Sequence, residues 1–197
     1  MSTVQTTDIQ MIVGLGNPGP EYQATRHNVG QWFVQRLASQ YSAKFKFESK
    51  YKAHIAKMVI ANKEVRLVLP TTFMNESGQA IAPIANFFKL TPEQILIVHD
   101  ELDLEPGIAR LKQGGGHGGH NGLRDTISKL GNNKEFMRLR IGIGHPGDKN
   151  KVTGFVLKNP TAEEKIAIEN SIDNALSVME KVIRGELQNA MTLLHTQ

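Results

Sequence analysis

The stretch from Gly114 to Gly122, Gly-Gly-Gly-His-Gly-Gly-His-Asn-Gly, constrains this chain more than any other. It sets six glycines around His117, His120 and Asn121. Glycine loses more conformational entropy on folding than any other residue, so a run this dense is costly. Such a run is expected where something must approach the backbone closely, and a polyanionic ligand is the simplest candidate. A flexible linker would be built from Gly and Ser rather than Gly and His. Leu123, Ile127 and Leu130 follow at helical spacing, so the loop opens into a helix, and helix N-termini bind anions through their free N–H groups.

Charge is distributed to match. Between Gly107 and Pro160 there are ten Lys or Arg against three Asp or Glu, a balance of +7, whereas the remainder carries −3. A basic stretch is often only a solvated face, but beside a glycine-built anion site it points to a nucleic acid or phosphate partner. The 197 residues suffice for one domain, 1–197, with a full core, and residues 1–8 read as a loose N-terminal extension. No apolar run approaches the roughly 18 residues that a membrane span needs. Met1 to Gln10 is polar, with Asp8 as its one charged side chain, so no signal peptide is expected there. The chain has no cysteine, which excludes disulfide and thiolate chemistry and is compatible with a cytoplasmic location.

Hydrophobic periodicity predicts alternating strands and helices. Ile9 to Leu15 reads as a buried strand. Val29, Trp32, Phe33 and Leu37 mark a helix starting near Asn28. Ala53–Ala61 and Val65–Leu69 suggest a hairpin turning at Asn62-Lys63. Ile81, Ile84, Ala85 and Phe88 mark a second helix. Ile95–Val98, Ile108–Lys112 and Met137–Ile143 read as further strands, the last with Arg138 and Arg140 on one solvent-facing stripe. A long helix from about Ala162 to Ile183 stops at Gly185, and Leu187, Ala190, Met191 and Leu194 suggest a short last one. The expected fold is an α/β single domain, a mixed twisted β-sheet surrounded by helices.

Two motifs mislead. Gly14-Leu-Gly-Asn-Pro-Gly19 matches a dinucleotide fingerprint, but that fold needs a helix beginning inside the glycine turn. Here Pro18 and Pro20 bracket Gly19, and helical periodicity waits until about Val29. His117 and His120 are spaced like metal ligands, yet no acidic residue adjoins them, and hydrolytic zinc needs three good ligands. No metal and no organic cofactor is expected.

What remains is dispersed. Asn17 and His27 follow the first strand, and Asp100 lies just past Ile95–Val98. Loops beyond the carboxyl ends of strands form the ligand crevice of an α/β sheet, so His27 and Asp100 could meet there. A histidine oriented by a carboxylate is a general base poised near neutral pH. With no Ser, Thr or Cys in a nucleophile elbow, the natural nucleophile is water.

Six blocks in order then resemble the bacterial-type peptidyl-tRNA hydrolase family: Gly14–Gly19, Thr25-Arg-His-Asn-Val-Gly30, Pro70-Thr-Thr-Phe-Met-Asn75, His99-Asp-Glu-Leu-Asp103, the glycine–histidine loop, and Arg138–Gly147. The resemblance spans about Ile12 to Leu157. It implies hydrolysis of the ester between a peptide and the 3′ end of tRNA, rescuing tRNA from peptides dropped by the ribosome. His27 matches the catalytic histidine and Asp100 the carboxylate that orients it. Asn17, Asn75 and Asn121 match the asparagines that bind the peptidyl-adenosine end and position water. His120 matches a histidine beside the crevice with substrate or water contacts, and Tyr22, Phe73 and Met74 would lie near the adenosine and peptide. Lys112 and Arg140 match a clamp for the 5′ phosphate of the acceptor stem, with Lys149 as a further phosphate contact. The family acts without cofactor and generally as a monomer with no obligate protein partner.

Some positions keep a plainer reading. Asn75 and Asn121 each stand before a predicted helix and could be N-caps. Asp100 could simply end its strand, and Tyr22, Phe73 and Met74 could be core. His54, His99 and His195 have no partner pattern and read as structural or surface residues, and His145 reads as a turn residue. Lys149–Leu157 is the candidate for a mobile cover over the site. The alternative function is a non-catalytic RNA-binding protein on the same fold, for which a base at His27 would be superfluous.

Overall fold

The computed structural model describes residues 7–197. Its seven strands are β1 (Met11–Gly14), β2 (Lys46–Glu48), β3 (Ala53–Ile60), β4 (Lys63–Pro70), β5 (Ile95–Glu101), β6 (Ala109–Gln113) and β7 (Met137–Gly142). They form one mixed sheet in the order β2-β3-β4-β1-β5-β7-β6. The β4, β1, β5 and β7 strands run parallel, and β3 and β6, which pair with β4 and β7, are antiparallel to them. The helices are α1 (Val29–Gln40), α2 (Gly78–Phe87), α3 (Asn121–Lys129), α4 (Val152–Val156), α5 (Ala162–Ser177), α6 (Met179–Ile183) and α7 (Leu187–His195).

Alternation along the central strands explains the layers, since successive side chains of a strand face opposite sides. Ile12, Leu96 and Val98 pack with Val29, Phe33 and Leu37 of α1 and with Ile168 and Ile172 of α5. Met11, Val13, Ile95 and Ile97 face the other way, onto Ile81 and Ile84 of α2 and Leu123 of α3. The expected mixed α/β sheet is therefore the one found, with helices on both faces. No helix among the described residues is long and apolar enough to cross a membrane.

Several local expectations change. The β3–β4 hairpin turns at Ala61-Asn62, both at positive φ, rather than at Asn62-Lys63. Tight hairpins need two left-handed residues, and Asn tolerates that conformation better than Lys. The C-terminal helix breaks at Val178 into α5 and α6. The edge strand β2 is not among the expected strands: Lys44-Phe45-Lys46-Phe47-Glu48 does alternate, but only three of these residues form the strand, and they are mostly exposed. Residues 1–6 of the expected extension lie outside the described residues. Asp8 forms an ion pair with Lys63, and the Ile9 N–H donates to the Ile183 carbonyl, so the chain is held from there onward.

One glycine contact fixes how α1 meets the sheet. A Cβ on Gly30 would sit 2.2 Å from the Val98 carbonyl oxygen, so only glycine lets the start of α1 lie directly on β5. Gly30→Ala is expected to lower stability by about 1–3 kcal/mol, the usual cost of overpacking. It should also slow turnover by moving the neighbouring His27. Urea unfolding measures the first effect, and wild-type stability would refute this account of the contact.

Candidate active site

Parallel strands leave a crevice where one strand ends before its neighbour. Here β1 ends at Gly14, opposite Val98, while β5 continues to Glu101. His99 and Asp100 therefore extend beyond β1, where they form part of the buried lining of a cleft of about 620 Å³. The glycine turn of β1 leads into two short 3-10 turns, Pro20–Tyr22 and Arg26–Asn28, before α1 begins at Val29. No helix starts inside the glycine turn, in keeping with the rejection of a dinucleotide site.

His27, on the second of these turns, places Nδ1 2.8 Å from Asp100 Oδ2. Since the carboxylate can only accept, Nδ1 carries the proton and Nε2 keeps its lone pair for the cleft. Burial tends to lower the His27 pKa, but the charge of Asp100 and its hydrogen bond outweigh this and raise it above the ordinary imidazole value. Asp100 itself is 3% exposed. Burial favours its protonated form, yet the two imidazoles beside it hold the carboxyl well below the usual carboxylate range.

The second imidazole is His120. Its Nε2 lies 2.7 Å from Asp100 Oδ1, and its Nδ1 accepts hydrogen bonds from the Gly122 and Leu123 N–H groups at 3.1 and 3.3 Å. His120 thus caps α3, and the tautomer is dictated by the helix: Nδ1 accepts, so Nε2 donates to Asp100. Two expectations are corrected here. Two of the N–H groups at the start of α3, expected to receive an anion, those of Gly122 and Leu123, are taken by His120. Both His120 nitrogens are also engaged within the protein, which leaves none for substrate or water. Asn121 is not the cap; its Oδ1 accepts from Arg124.

The glycine run owes its density to chain geometry. Gly114, Gly115, Gly118 and Gly119 all have positive φ, and the His117 Nδ1 accepts from the Gly119 N–H inside the turn. The carbonyls of Gly115 and Gly116 face inward onto the Arg138 guanidinium. Arg138 is accordingly buried, not on a solvent-facing stripe, because the loop folds over that face of β7. Arg140 is half-buried and pairs through Nε with Glu101 Oε1 at 2.8 Å. Lys112 on β6 and Arg140 both line the cleft, whereas Lys149 lies on an exposed 3-10 turn outside its lining.

Asn17 is held by three bonds. Its Oδ1 accepts from the Met74 N–H at 2.7 Å, while its peptide N–H and carbonyl pair with the Asn28 side chain. With Oδ1 committed, the amide NH₂ is the group left for the cleft. Met74 is buried beneath it, and Tyr22 and Phe73 meet edge-to-face at the rim, with centroids 6.3 Å apart. Asn75 and Asn121 are exposed on the cleft wall, and α2 follows Ser77, so Asn75 does not act as its cap either.

The candidate mobile cover is not a loose loop. Residues 149–157 form a 3-10 turn and α4, whose Val152, Thr153 and Val156 line the cleft. Arg26 fastens its far end. The guanidinium lies 3.9 Å from the Phe155 ring centroid, donates to the Phe155 carbonyl, and pairs with Glu164 at 2.9 Å. Neither Arg26 nor Asn28 stands out in the sequence: the Arg26 partners lie more than a hundred positions away, and such contacts leave no local pattern.

Three potential metal ligands do gather, contrary to the expectation from sequence neighbours: atoms of His27, Asp100 and His120 lie within 4.8 Å of one another. Their arrangement is a carboxylate accepting from two imidazole N–H groups, so the facing nitrogens carry protons rather than free lone pairs.

A carboxylate-oriented imidazole, an asparagine-lined cleft and a basic flank are the parts of a hydrolytic site for an anionic polymer. Residues 11–197 match the model of the family described as peptidyl-tRNA hydrolase. The chain belongs to the peptidyl-tRNA hydrolase family. It is 57% identical over 189 residues to the peptidyl-tRNA hydrolase of Pectobacterium carotovorum, covering 96% of this chain and 97% of that one. The Alteromonas mediterranea peptidyl-tRNA hydrolase is 54% identical over 189 residues, with the same coverage of both chains. The crystal structure of Acinetobacter baumannii peptidyl-tRNA hydrolase superposes with a TM-score of 0.92 at 47% identity, covering 98% of this chain and 97% of that chain.

Proposed function

We propose that this chain is a single-domain, cofactor-free hydrolase of peptidyl-tRNA, with His27 as general base and Asp100 as the carboxylate that orients it. Membership of the family supports the reaction. The observation that carries the mechanism is the 2.8 Å contact between His27 Nδ1 and Asp100 Oδ2, which leaves Nε2 facing the cleft as an acceptor. His27 Nε2 takes a proton from water as the water oxygen bonds to the ester carbonyl carbon. The bond from that carbon to the ribose oxygen then breaks, and the imidazolium returns its proton to the departing oxygen. The Asn17 amide NH₂ is the donor placed for the developing oxyanion. Asn75 and Asn121 offer amides to peptide backbone groups, which suits a substrate whose side chains vary. The reading takes the chain as a monomer, and a tRNA substrate supports a cytoplasmic location.

The test compares N-acetylated aminoacyl-tRNA with the same aminoacyl-tRNA bearing a free amine, with EDTA present. Release of the acetylated amino acid alone is expected. Binding of both without cleavage would make the chain an RNA-binding relative, and loss of activity in EDTA would overturn the metal-independent scheme.

Lys112 and Arg140 are assigned to the acceptor-stem phosphate, with Lys149 as an outlying contact. Lys112→Ala or Arg140→Ala should weaken tRNA binding and reduce the slope of log K against log salt by about 0.7–0.9 per lost phosphate contact. Cleavage of a minimal N-acetylaminoacyl-adenosine should barely change. Equal losses on both substrates would show that these residues serve chemistry or folding instead.

A further inference from the structure

Sequence pattern leaves His99 as a structural or surface residue, and its surroundings give it a more definite role. It is 2% exposed, on the strand that carries Asp100. Its Nδ1 lies 2.8 Å from the main-chain oxygen of Asp100. A carbonyl only accepts, so Nδ1 is the protonated nitrogen. The remaining nitrogen, Nε2, is buried with no hydrogen-bond partner among the described residues. The ring meets the His120 ring edge-on, with centroids 5.2 Å apart.

Each of the three oxygens of Asp100 is thus held by a different imidazole. Oδ2 accepts from His27, Oδ1 from His120, and the main-chain oxygen from His99. The third bond has a topological origin. Carbonyls two residues apart on a strand point the same way. The Val98 carbonyl is taken by the Leu15 N–H on the β1 side, so the Asp100 carbonyl faces the gap left where β1 ends. His99 fills the position of the missing strand partner. Burying an imidazole costs more than burying an apolar residue unless its polar atoms are bonded, and the Asp100 main-chain oxygen supplies that bond to Nδ1.

We propose that His99 is a positioning residue, fixing the Asp100 backbone and bracing His120 so that Asp100 meets both imidazoles in line. The proposal rests on the general-base reading of His27 and Asp100. The charged and titratable groups acting on His99 are His120, Asp100 and Arg138. Burial, followed by the nearby His120, pushes the His99 imidazole down to about 3, so it stays neutral wherever the site works.

His99→Phe keeps an aromatic ring, somewhat larger than imidazole, and removes the donor, whereas His99→Asn places an amide nitrogen where Nδ1 stood. On N-acetylaminoacyl-tRNA, His99→Phe is expected to lose roughly 10–100-fold in kcat with little change in KM, the scale of a misplaced catalytic group. Its acidic pH limb should move downward as His27 loses part of the influence of Asp100. His99→Asn should recover most of the loss and the original pH profile. If His99→Phe does not fold, His99→Ala takes its place, and His99→Asn should exceed it about tenfold in kcat. Equal kcat values and pH profiles in the Asn variant and the variant without a donor would overturn the proposal. His27→Ala runs alongside: full activity there would remove the general-base reading and the His99 role with it, whereas an inactive His27→Ala confines any failure to His99.

Discussion

His27→Ala should lower kcat on N-acetylaminoacyl-tRNA by about 10²–10⁴-fold, the usual contribution of a general base. KM should change little, because substrate binding rests on the asparagines, the rim aromatics and the basic flank. Single-turnover assays with enzyme in excess measure this step directly. Turnover within a few-fold of wild type would refute the mechanism. In the wild-type enzyme, the rate should fall as pH drops through the His27 pKa, because only the neutral imidazole accepts a proton. The attraction of Asp100 stabilises the protonated form and outweighs burial, so this limb should sit above the ordinary imidazole value of about 6.5.

The second large effect is that of Asp100→Asn, and the hydrogen bonds dictate its form. His120 must remain a donor at Nε2, because its Nδ1 accepts from the first turn of α3. An asparagine at position 100 would therefore turn its oxygen to His120 and its NH₂ to His27. That NH₂ forces His27 to accept at Nδ1 and carry its proton on Nε2, the wrong tautomer for a base. A loss of about 10²-fold is expected, at the lower end of the range for general-base catalysis and smaller than that of His27→Ala. With the carboxylate gone, burial dominates, so the residual activity should have its acidic limb below that of wild type. A limb at the wild-type position would show that Asp100 does not set the His27 pKa.

The parts of this site legible in the sequence are those governed by local rules. The glycine turn after β1 and the carboxylate after Val98 place Asn17, His27 and Asp100 at strand ends, where α/β sheets bind ligands. Apart from β2 and the break between α5 and α6, the strands and the helices of the two layers follow from periodicity. The parts that are not legible depend on contacts distant in sequence. Arg138 alternates with apolar residues as an exposed side chain would, and only the overlying glycine loop buries it. His120 reads as a ligand contact because nothing local shows that its nitrogens are committed, one to a helix and one to Asp100. Gly154 and the neighbouring lysines suggest a mobile cover, whereas Arg26, far back in the chain, fastens it. His99 gains its role from where β1 ends, a fact about another strand.

The commitment of nitrogens around Asp100 also bears on selective chemical labelling. His120 spends both of its nitrogens, His99 spends one and buries the other, and His27 spends only Nδ1. In this trio of imidazoles, a single nitrogen, His27 Nε2, is open to an electrophile entering the cleft. A small acylating reagent would therefore mark the nitrogen that is proposed to activate water and spare the two that support it. The same hydrogen bonds that hold the carboxylate in place thus protect its supporting histidines from covalent modification.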